Sequence, residues 1–380
     1  MTTSVFKLIL KNFRNIDYKK FEFEKGQVLL WGNNGVGKTN TLEAITLIGR
    51  NASLRGSDLE EMVQEKPFDN SLTLSPTLSS SFNVYAELLN HDYIDNISVR
   101  YDKNIRKKSY AFNGQDINSK NQADLKNYLI NFIYLTPQIE QLFNLGKSFR
   151  REYLDKIVTD FDISHQNRLS DYQKLLKERL LILQKYKNQL IGNKWLDIVE
   201  NKISEIGIAI AFSRLEALDF FNKAIQSFET NFPKTQLTVK GDVEDWVLNN
   251  SGLKIESLYR QKLESSRSND LENYRTEFGI HRSDFDAILC VKNTVATKSS
   301  TGEQKAMMIS ICLARAKISS NYKNYPTILI FDEIVEHLDS QRKLHLFDEI
   351  YQTHLQSFYS ANNQDLIPKK YQQSIQKINL

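Results

Sequence analysis

Residues 32–39 have the types and spacing of a loop that binds phosphate groups. They read Gly-Asn-Asn-Gly-Val-Gly-Lys-Thr and lie between an apolar segment, 28–31, and a segment with helical spacing, 38–48. Glycines without a Cβ let backbone N–H groups approach phosphate oxygens, and a helix N-terminus adds a favourable dipole. We therefore predict that Lys38 neutralises the β- and γ-phosphates and that Thr39 offers its hydroxyl to Mg²⁺. The predicted nucleotide-binding residues of this segment are Gly32, Asn33, Asn34, Gly35, Val36, Gly37, Lys38, Thr39 and Asn40.

Two adjacent carboxylates end a second apolar segment. Residues 327–333 read Thr-Ile-Leu-Ile-Phe-Asp-Glu, which is typical of a buried parallel strand with an acidic end. We predict that Asp332 holds the magnesium ion through its water shell and that Glu333 accepts a proton from the attacking water. Apolar strands that end in acids are common at active-site edges, so this interpretation depends on the phosphate loop.

A third segment, residues 300–304, reads Ser-Thr-Gly-Glu-Gln and precedes a predicted apolar helix over residues 305–318. A helix N-terminus with a small hydroxyl and a glycine can bind an anion, although an ordinary capped helix would show the same residues. The segment resembles the signature motif of ABC-type ATPases, Ser-x-Gly-x-Gln. The resemblance implies that Ser300 and Gly302 bind the γ-phosphate held by the opposite subunit, and Gln304 completes this nucleotide-binding motif.

Two further positions are weaker candidates for the same site. Residues 336–339, Glu-His-Leu-Asp, resemble the D-loop of ABC-type ATPases, in which Asp339 would reach across a dimer; a Leu-Asp pair is ordinary on its own. Gln138 follows Pro137 where a loop could contact magnesium and the attacking water, as a Q-loop residue does. A surface glutamine is an equally good interpretation of Gln138.

The chain order around these motifs predicts an α/β fold with an inserted helical arm. Apolar stripes at helical spacing over residues 169–190 and 199–221, with a Gly-Asn turn signal at 192–193, indicate an antiparallel helix pair. Each stripe lasts only about three to four heptads, which suits a short arm and not a long coiled-coil rod. The predicted domains are 1–148 (ABC-type, P-loop ATPase head, N-terminal part), 149–269 (helical arm) and 270–380 (ATPase head, C-terminal part).

Net charge does not identify a partner by itself. The chain has 50 basic and 46 acidic residues and a formal net charge of +4, a bias too small to argue for nucleic acid.

A basic stretch precedes an Asn-Gly pair at 113–114, which is typical of a tight hairpin, so we predict a β-meander there. Contacts to DNA phosphates, each of which could equally be a solvated surface charge, are predicted at Lys103, Arg106, Lys107, Lys108, Arg150 and Arg151.

The composition argues against several other classes of protein. The two cysteines, Cys290 and Cys312, lie in apolar stretches, which predicts reduced buried thiols and not a disulfide or a metal site. No apolar stretch approaches the roughly 18 residues that span a bilayer, and the N-terminus lacks the pattern of a secretory signal. We therefore expect a cytoplasmic protein with no membrane segment.

The motifs together resemble the RecF family of ABC-type ATPases. Ser300 lies roughly 260 residues after Lys38, whereas transporter ATPases separate these motifs by about a hundred, so a segment is inserted here. Two modest helices are too short for the rods of chromosome-maintenance ATPases, and RecF is the small-insert member of that group. The segments that carry the resemblance are Leu-Lys-Asn-Phe-Arg-Asn at 10–15, Gly-Val-Gly-Lys-Thr-Asn-Thr-Leu-Glu-Ala-Ile at 35–45, Thr-Pro at 136–137, Phe-Arg-Arg-Glu-Tyr-Leu-Asp at 149–155, Asp-Tyr-Gln at 171–173 and His-Arg-Ser-Asp at 281–284.

One segment departs from the family pattern. Residues 358–362, Phe-Tyr-Ser-Ala-Asn, lack the switch histidine of transporter ATPases and differ from the Thr-Gly-Thr-Asp expected in RecF. The departure leaves γ-phosphate sensing by this loop an open question.

The resemblance implies a function in DNA maintenance. RecF-like proteins bind ATP with Mg²⁺, form an ATP-dependent homodimer, engage junctions of single-stranded and duplex DNA, and with RecR and RecO help to load RecA at gaps. Only weak, DNA-stimulated ATP hydrolysis is expected, because the nucleotide serves mainly as a switch. An alternative is an SMC-like ATPase of another DNA-maintenance or phage-defence system. A transporter ATPase subunit is disfavoured by the motif spacing, and a nuclease of the overcoming-lysogeny type by the lack of a further carboxylate-rich segment.

Overall fold

The computed structural model describes residues 3–50, 54, 58–64, 80–90, 93–117, 129–187, 193–322 and 326–380. The chain divides into two compact units, the first comprising Met1–Glu140 with Ile311–Leu380 and the second Gln141–Ser310. The strands are β1 (Thr3–Phe13), β2 (Ile16–Glu22), β3 (Gln27–Trp31), β4 (Ser81–Asn90), β5 (Tyr93–Asp102), β6 (Lys107–Phe112), β7 (Gln115–Asp116), β8 (Asn131–Leu135), β9 (Thr235–Lys240), β10 (Asp284–Leu289), β11 (Thr294–Val295), β12 (Thr327–Asp332), β13 (Ser357–Ala361) and β14 (Ile375–Asn379). The α-helices are α1 (Lys38–Thr46), α2 (Pro137–Glu140), α3 (Lys147–Phe161), α4 (His165–Lys187), α5 (Asn193–Ser227), α6 (Asp242–Asn249), α7 (Gly252–Ser265), α8 (Arg267–Glu272), α9 (Thr301–Tyr322) and α10 (Ser340–Thr353).

A parallel sheet of buried strands forms the centre of the first unit, in the order β14-β3-β13-β12-β8. Every residue of β8, β12 and β13 is buried, as expected for parallel strands that are covered on both faces. Because all five strands run in one direction, the segments that follow them leave the sheet at one edge, which is where open α/β sheets bind ligands.

The first unit also contains an antiparallel sheet, in the order β2-β1-β4-β5-β6-β7. Strand β4 alternates buried and half-buried residues, so its apolar side chains face the core. Asn113 and Gly114 between β6 and β7 have φ values of 48° and 77°, and a two-residue type I′ turn requires this left-handed backbone at both positions. The predicted β-meander is confirmed.

The second unit is built around the antiparallel pair of α4 and α5. Arg179 of α4 pairs with Glu200 of α5, and Arg168 pairs with Ser213, so positions advance along one helix as they recede along the other. The apolar stripes of both helices contribute to one buried core, which also contains Tyr259 of α7. The predicted antiparallel pair is confirmed, although residue 192 of the predicted turn lies outside the described residues.

Fixed charge networks are also buried in the second unit. The Arg214 guanidinium bonds both carboxylate oxygens of Asp155, Oε1 of Glu244 at 2.9 Å and the carbonyl of Ile280. Arg179, with no exposed surface, bonds Glu200 and Asp270. These cations are held by fixed carboxylates, which stabilise the charge that burial would otherwise penalise.

Some details of the sequence analysis differ from the structure. Cys312 is buried as predicted, but Cys290 is exposed, because it lies one residue beyond the end of β10. The helix predicted over residues 305–318 begins earlier, at Thr301. The compact units divide at 140/141 and 310/311, whereas the predicted domain bounds at 148/149 and 269/270 follow the motif pattern and remain predictions.

Candidate nucleotide-binding site

The predicted catalytic and phosphate-binding residues of the first unit follow strands of the parallel sheet. The loop of residues 32–37 follows β3, Glu333 follows β12, and Gln138 lies in α2 after β8. Residues at the end of β13, which pairs with both β3 and β12, complete this edge. The sheet therefore brings together residues that are as much as 324 positions apart in the chain, Lys38 and Asn362.

Lys38 lies at the start of α1 and is 4% exposed. Its ammonium donates to the carbonyls of Gly32 at 2.7 Å and Asn33 at 3.0 Å, and to Oδ1 of Asn362 at 2.8 Å. Among the described residues no carboxylate lies within ion-pair distance of Lys38. A buried cation with only neutral partners is well placed to receive an anion.

The backbone of the phosphate loop requires glycine at Gly37, where φ is 104°. A Cβ at this position would lie 3.3 Å from Oδ1 of Asn15, which is in the turn between β1 and β2. The Asn15 carboxamide donates to the carbonyl of Gly35 at 3.2 Å and accepts from Asn40 at 2.8 Å. The β1–β2 turn therefore supports the loop from outside, a contact that sequence reasoning missed although residues 10–15 carried the family resemblance.

Thr39 and Asp332, the two residues predicted to act on Mg²⁺, lie within hydrogen-bond distance of each other. The Thr39 hydroxyl donates to Oδ1 of Asp332 at 3.1 Å, and Ser360 of β13 donates to the same oxygen at 2.6 Å. Ser360 Oγ also accepts from the Glu333 amide at 2.9 Å. Ser360 was not predicted, because a serine inside an apolar strand has no distinctive pattern. It contacts Asp332 and Glu333 only because β13 pairs with β12.

Glu333 has a left-handed backbone, with φ of 60°, at the turn after β12. Such a conformation is uncommon for a residue other than glycine and tends to occur where the surrounding structure fixes a functional side chain. Within the described parts of the chain, the Glu333 carboxylate has no hydrogen-bond or ion-pair partner. Its oxygens are therefore free to accept hydrogen bonds.

Asn362 and Glu336 add a connection that the motifs did not reveal. The Glu336 carboxylate accepts from the Asn362 amide N at 2.5 Å and from its Nδ2 at 3.1 Å, and Asn362 in turn accepts from Lys38. Asn362 ends the segment whose departure from the family pattern left its function open. A polar residue just beyond a buried parallel strand was the signal that could have identified it.

The two weaker candidates of this unit have different environments. Gln138 is exposed, in the short helix after β8, at the edge where the other groups lie. Asp339 is exposed and caps α10 by accepting from the Arg342 amide at 2.8 Å, and this bond lowers the pKa of its carboxyl. A capping residue stabilises its helix whether or not it contacts a second subunit.

Ser300, Gly302 and Gln304 lie in the second unit at the N-terminus of α9. Glu303 Oε2 accepts from the amide and the hydroxyl of Ser300 at 2.9 Å, which is a capping box. The Lys292 ammonium, together with these two Ser300 bonds, lowers the pKa of the Glu303 carboxyl to about 2. The Ser300 side chain is exposed and is oriented by Glu303.

The two other signature residues have distinct surroundings. Gln304 is 3% exposed and donates to the carbonyls of Ala296 and Ser299, so it holds the preceding turn. Among the described residues, a Cβ at Gly302 would meet no atom within 4 Å, so their packing does not require glycine at this position.

The predicted DNA-contacting residues fall into two groups. Lys103, Arg106 and Lys107 are exposed around the β5–β6 turn, where Arg106 pairs with Glu60 at 2.9 Å. Lys108 is half-buried, with its ammonium 4.8 Å from the centre of the Tyr110 ring. These four residues, which we call the β5–β6 basic cluster, can present cations to an extended polyanion.

Arg150 and Arg151 are in α3 of the second unit. Arg150 is 8% exposed and bonds both carboxylate oxygens of Asp284, which raises the pKa of its guanidinium. Arg151 is half-buried and donates to the carbonyl of Ser283 at 2.9 Å. Both side chains join α3 to residues 283–284 at the start of β10, so fewer of their N–H groups are left to contact a DNA phosphate.

Comparison with known proteins places this geometry in a family. A family model described as the RecF/RecN/SMC N terminal domain matches residues 4–377. A protein named DNA replication and repair protein RecF, from Rickettsia prowazekii (strain Madrid E), is 34% identical over 358 residues, which cover 94% of each chain. The protein of the same name from Rickettsia typhi (strain ATCC VR-144 / Wilmington) is 33% identical over the same length and coverage. The chain belongs to the RecF family.

Solved structures agree with this assignment. The recombination mediator protein RecF with ATPrS, of the RecFOR pathway, superposes with a TM-score of 0.82 at 25% identity, covering 96% of this chain and 94% of that one. The Smc head domain derived from Pyrococcus furiosus, with a TM-score of 0.52 and 17% identity over 96% of this chain and 91% of that one, shares the fold alone. This RecF-family chain therefore has the predicted α/β fold of an ABC-type ATPase head. None of the helices within the described ranges is long and apolar enough to cross a bilayer.

Proposed function

We propose that this RecF-family chain binds ATP with Mg²⁺ at the edge of its parallel sheet and uses the nucleotide to close a homodimer on DNA during replication and repair. The observation that carries the proposal is the environment of Lys38, a buried cation held by three neutral oxygens beside a glycine loop with left-handed backbone. ATP-bound RecF structures of the same fold support the choice of nucleotide.

The residues present fit both ligands. The Thr39 hydroxyl and the Asp332 carboxylate, 3.1 Å apart, are oxygen donors of the kind that Mg²⁺ prefers. Lys38 and the loop amides would bind the phosphates, and Mg²⁺ would supply charge neutralisation between them. Glu333 would take the proton of an attacking water, and Gln138 would orient that water. Hydrolysis is expected to be slow, because ATP serves here as a switch.

The dimer part of the proposal depends on the signature segment. Ser300 is exposed, and the open space around Gly302 leaves room for a second molecule. ATP held by Lys38 of one protomer and Ser300 of its partner would shift the equilibrium from monomer to dimer, since a ligand stabilises the state that binds it more tightly. Asp339 would contribute from the adjoining helix cap.

The cellular role is proposed from the family. The relatives are named DNA replication and repair proteins, and the solved neighbour is assigned to the RecFOR pathway. We infer that the chain acts at junctions of single-stranded and duplex DNA and, with RecR and RecO, assists RecA loading at gaps. The β5–β6 basic cluster is the preferred DNA contact, because Arg150 and Arg151 are engaged within the second unit.

DNA binding is tested by changing Arg106, Lys107 and Lys108 together to alanine and titrating a gapped duplex in the presence of ATP and Mg²⁺. Loss of up to three phosphate contacts should reduce the salt dependence, d log K/d log[salt], by about 2 to 3. A matched control replaces three cations of the second unit, Lys174, Lys223 and Arg260, and should leave affinity and slope unchanged. If the two triple variants bind alike, the β5–β6 basic cluster is not the DNA contact; if the wild type ignores DNA, the repair assignment fails.

A further inference from the structure

The Lys38 ammonium has no free donor in this structure. An ammonium group has three N–H donors, and Lys38 uses them on Gly32 O, Asn33 O and Asn362 Oδ1, at 2.7, 3.0 and 2.8 Å. For Lys38 to bond a phosphate oxygen, at least one of these three acceptors must be exchanged.

Asn362 is the acceptor that can be exchanged most easily. The other two are backbone carbonyls of the phosphate loop, which begins at the end of β3 and is supported by Asn15. Asn362 is exposed, and its carboxamide leaves Lys38 by rotating about side-chain bonds. The carbonyl oxygen of Asn362 therefore takes the place of an anionic oxygen beside Lys38.

Glu336 links this placeholder to a different segment. Its two carboxylate oxygens accept from the amide and from Nδ2 of Asn362, at 2.5 and 3.1 Å. Glu336 belongs to the short 3-10 helix Ile334–His337, directly after Glu333 and three residues before Asp339. A movement of the Asn362 side chain thus changes its bond to Glu336. Glu336 lies in the segment between the acidic pair, Asp332 and Glu333, and Asp339, which caps α10.

We propose that Asn362 is a positioning residue that occupies the place of a phosphate oxygen beside Lys38. When phosphate displaces Asn362, its contact with Glu336 changes, and this change tells the segment before Asp339 that nucleotide is bound. The inference rests on the proposed function, since it concerns ATP at the same loop. Asn362 would then sense the γ-phosphate in residues 358–362, a segment that has neither the switch histidine of transporter ATPases nor the pattern expected in RecF.

If Asn362 is a placeholder, Asn362→Ala should not weaken ATP binding; if Asn362 is a permanent phosphate contact, the same substitution should weaken it. Removing a placeholder removes a competitor, so Asn362→Ala should bind ATP as tightly as the wild type or up to about fivefold more tightly. Asn362→Asp should pair with Lys38 as a charged competitor and weaken ATP binding at least about tenfold. A permanent contact, or general damage to the site, would weaken both variants.

The experiment measures ATP affinity by calorimetry in Mg²⁺ and ATP-dependent dimerisation by sedimentation, for the full chain. Asn363→Ala is the matched control, because this neighbouring exposed residue caps a different turn, Gln364–Leu366. Glu336→Ala tests the relay: its ATP affinity should stay within about threefold of the wild type while its dimerisation constant falls at least about tenfold.

Each result decides the question. Weaker ATP binding by Asn362→Ala, or Asn362→Asp indistinguishable from the wild type, overturns the placeholder, and normal dimerisation of Glu336→Ala overturns the relay. If the wild-type chain does not bind ATP, the proposed function fails as well; if it binds ATP and dimerises while Asn362→Asp and Glu336→Ala match it, only this inference fails. Weaker ATP binding by Asn362→Asp, together with unchanged or tighter binding by Asn362→Ala, would support it.

Discussion

Both units bury a cation, but they surround it differently. Arg214 of the second unit lies between the carboxylates of Asp155 and Glu244, whereas Lys38 of the first unit has only neutral oxygen partners among the described residues. Burying a charge is costly unless it is paired. We therefore infer that a buried cation neutralised by fixed carboxylates stabilises the fold, and we propose that one left with neutral partners binds a ligand.

The largest expected effect is on stability, at Arg214. Arg214→Met leaves Glu244, which is fully buried, and Asp155 without their shared cation, so the free energy of unfolding should fall by about 3–5 kcal/mol. Denaturant unfolding measures it. The control is Lys223→Met on the same helix, whose exposed pair with Asp219 should contribute no more than about 0.5 kcal/mol. If both substitutions lowered the free energy of unfolding equally, the buried pairing of Arg214 would not be what stabilises the second unit.

The complementary substitution, Lys38→Ala, should affect ligand binding more than stability. Loss of charge-assisted bonds to phosphate should weaken ATP about 10- to 100-fold, while the free energy of unfolding changes by less than about 2 kcal/mol because no buried carboxylate is left unpaired. Calorimetry with ATP and denaturant unfolding measure the two quantities. A variant that unfolds readily yet retains ATP affinity would show that Lys38 is structural.

A smaller effect concerns pH in the second unit. Burial, with smaller contributions from Arg282 and Arg151, lowers the pKa of His281, whose ring bonds Tyr172 and the carbonyl of Thr276. Because the folded-state pKa lies below the unfolded value of about 6.5, the unfolded chain takes up the proton first. The contribution of His281 to stability is present above that pH and is lost as pH falls through the lowered value.

Denaturant unfolding between pH 8 and 5.5 checks this sign. The stability advantage of the wild type over His281→Gln should shrink on acidification, by no more than about 1.4 kcal/mol per pH unit for one proton. An advantage that grows as the pH falls would mean that the protonated ring is favoured in the folded chain.

Contiguous motifs were readable from the sequence, and long-range contacts were not. The phosphate loop, the acidic pair and the signature segment each carry their residues within a few positions, so type and spacing identify them. Ser360, Asn362 and Asn15 reach the site only through strand pairing and a hairpin turn. Their polar side chains have no distinctive spacing relative to Lys38.

Buried and paired charged side chains could also not be predicted from the sequence. Arg150 lies beside charged residues of α3, where a sequence pattern indicates a solvated face, whereas Arg214 lies among mainly apolar residues of α5. Both are buried and paired with acids from distant segments. Arg150 was consequently predicted as a DNA contact. Only the packing of α3 against β10 and its neighbours identifies the partner, Asp284, that occupies it.

The central claim is that ATP joins two copies of this chain through Lys38 and Ser300. Sedimentation of the wild type and Ser300→Arg with ATP and Mg²⁺ tests it directly, with Ser251→Arg as a control because Ser251 is another exposed serine at a helix N-terminus, without a side-chain cap. We predict that ATP dimerises the wild type and Ser251→Arg, while Ser300→Arg binds ATP and remains monomeric. A wild type that binds ATP but stays monomeric, or Ser300→Arg that dimerises as well as the wild type, would contradict the account.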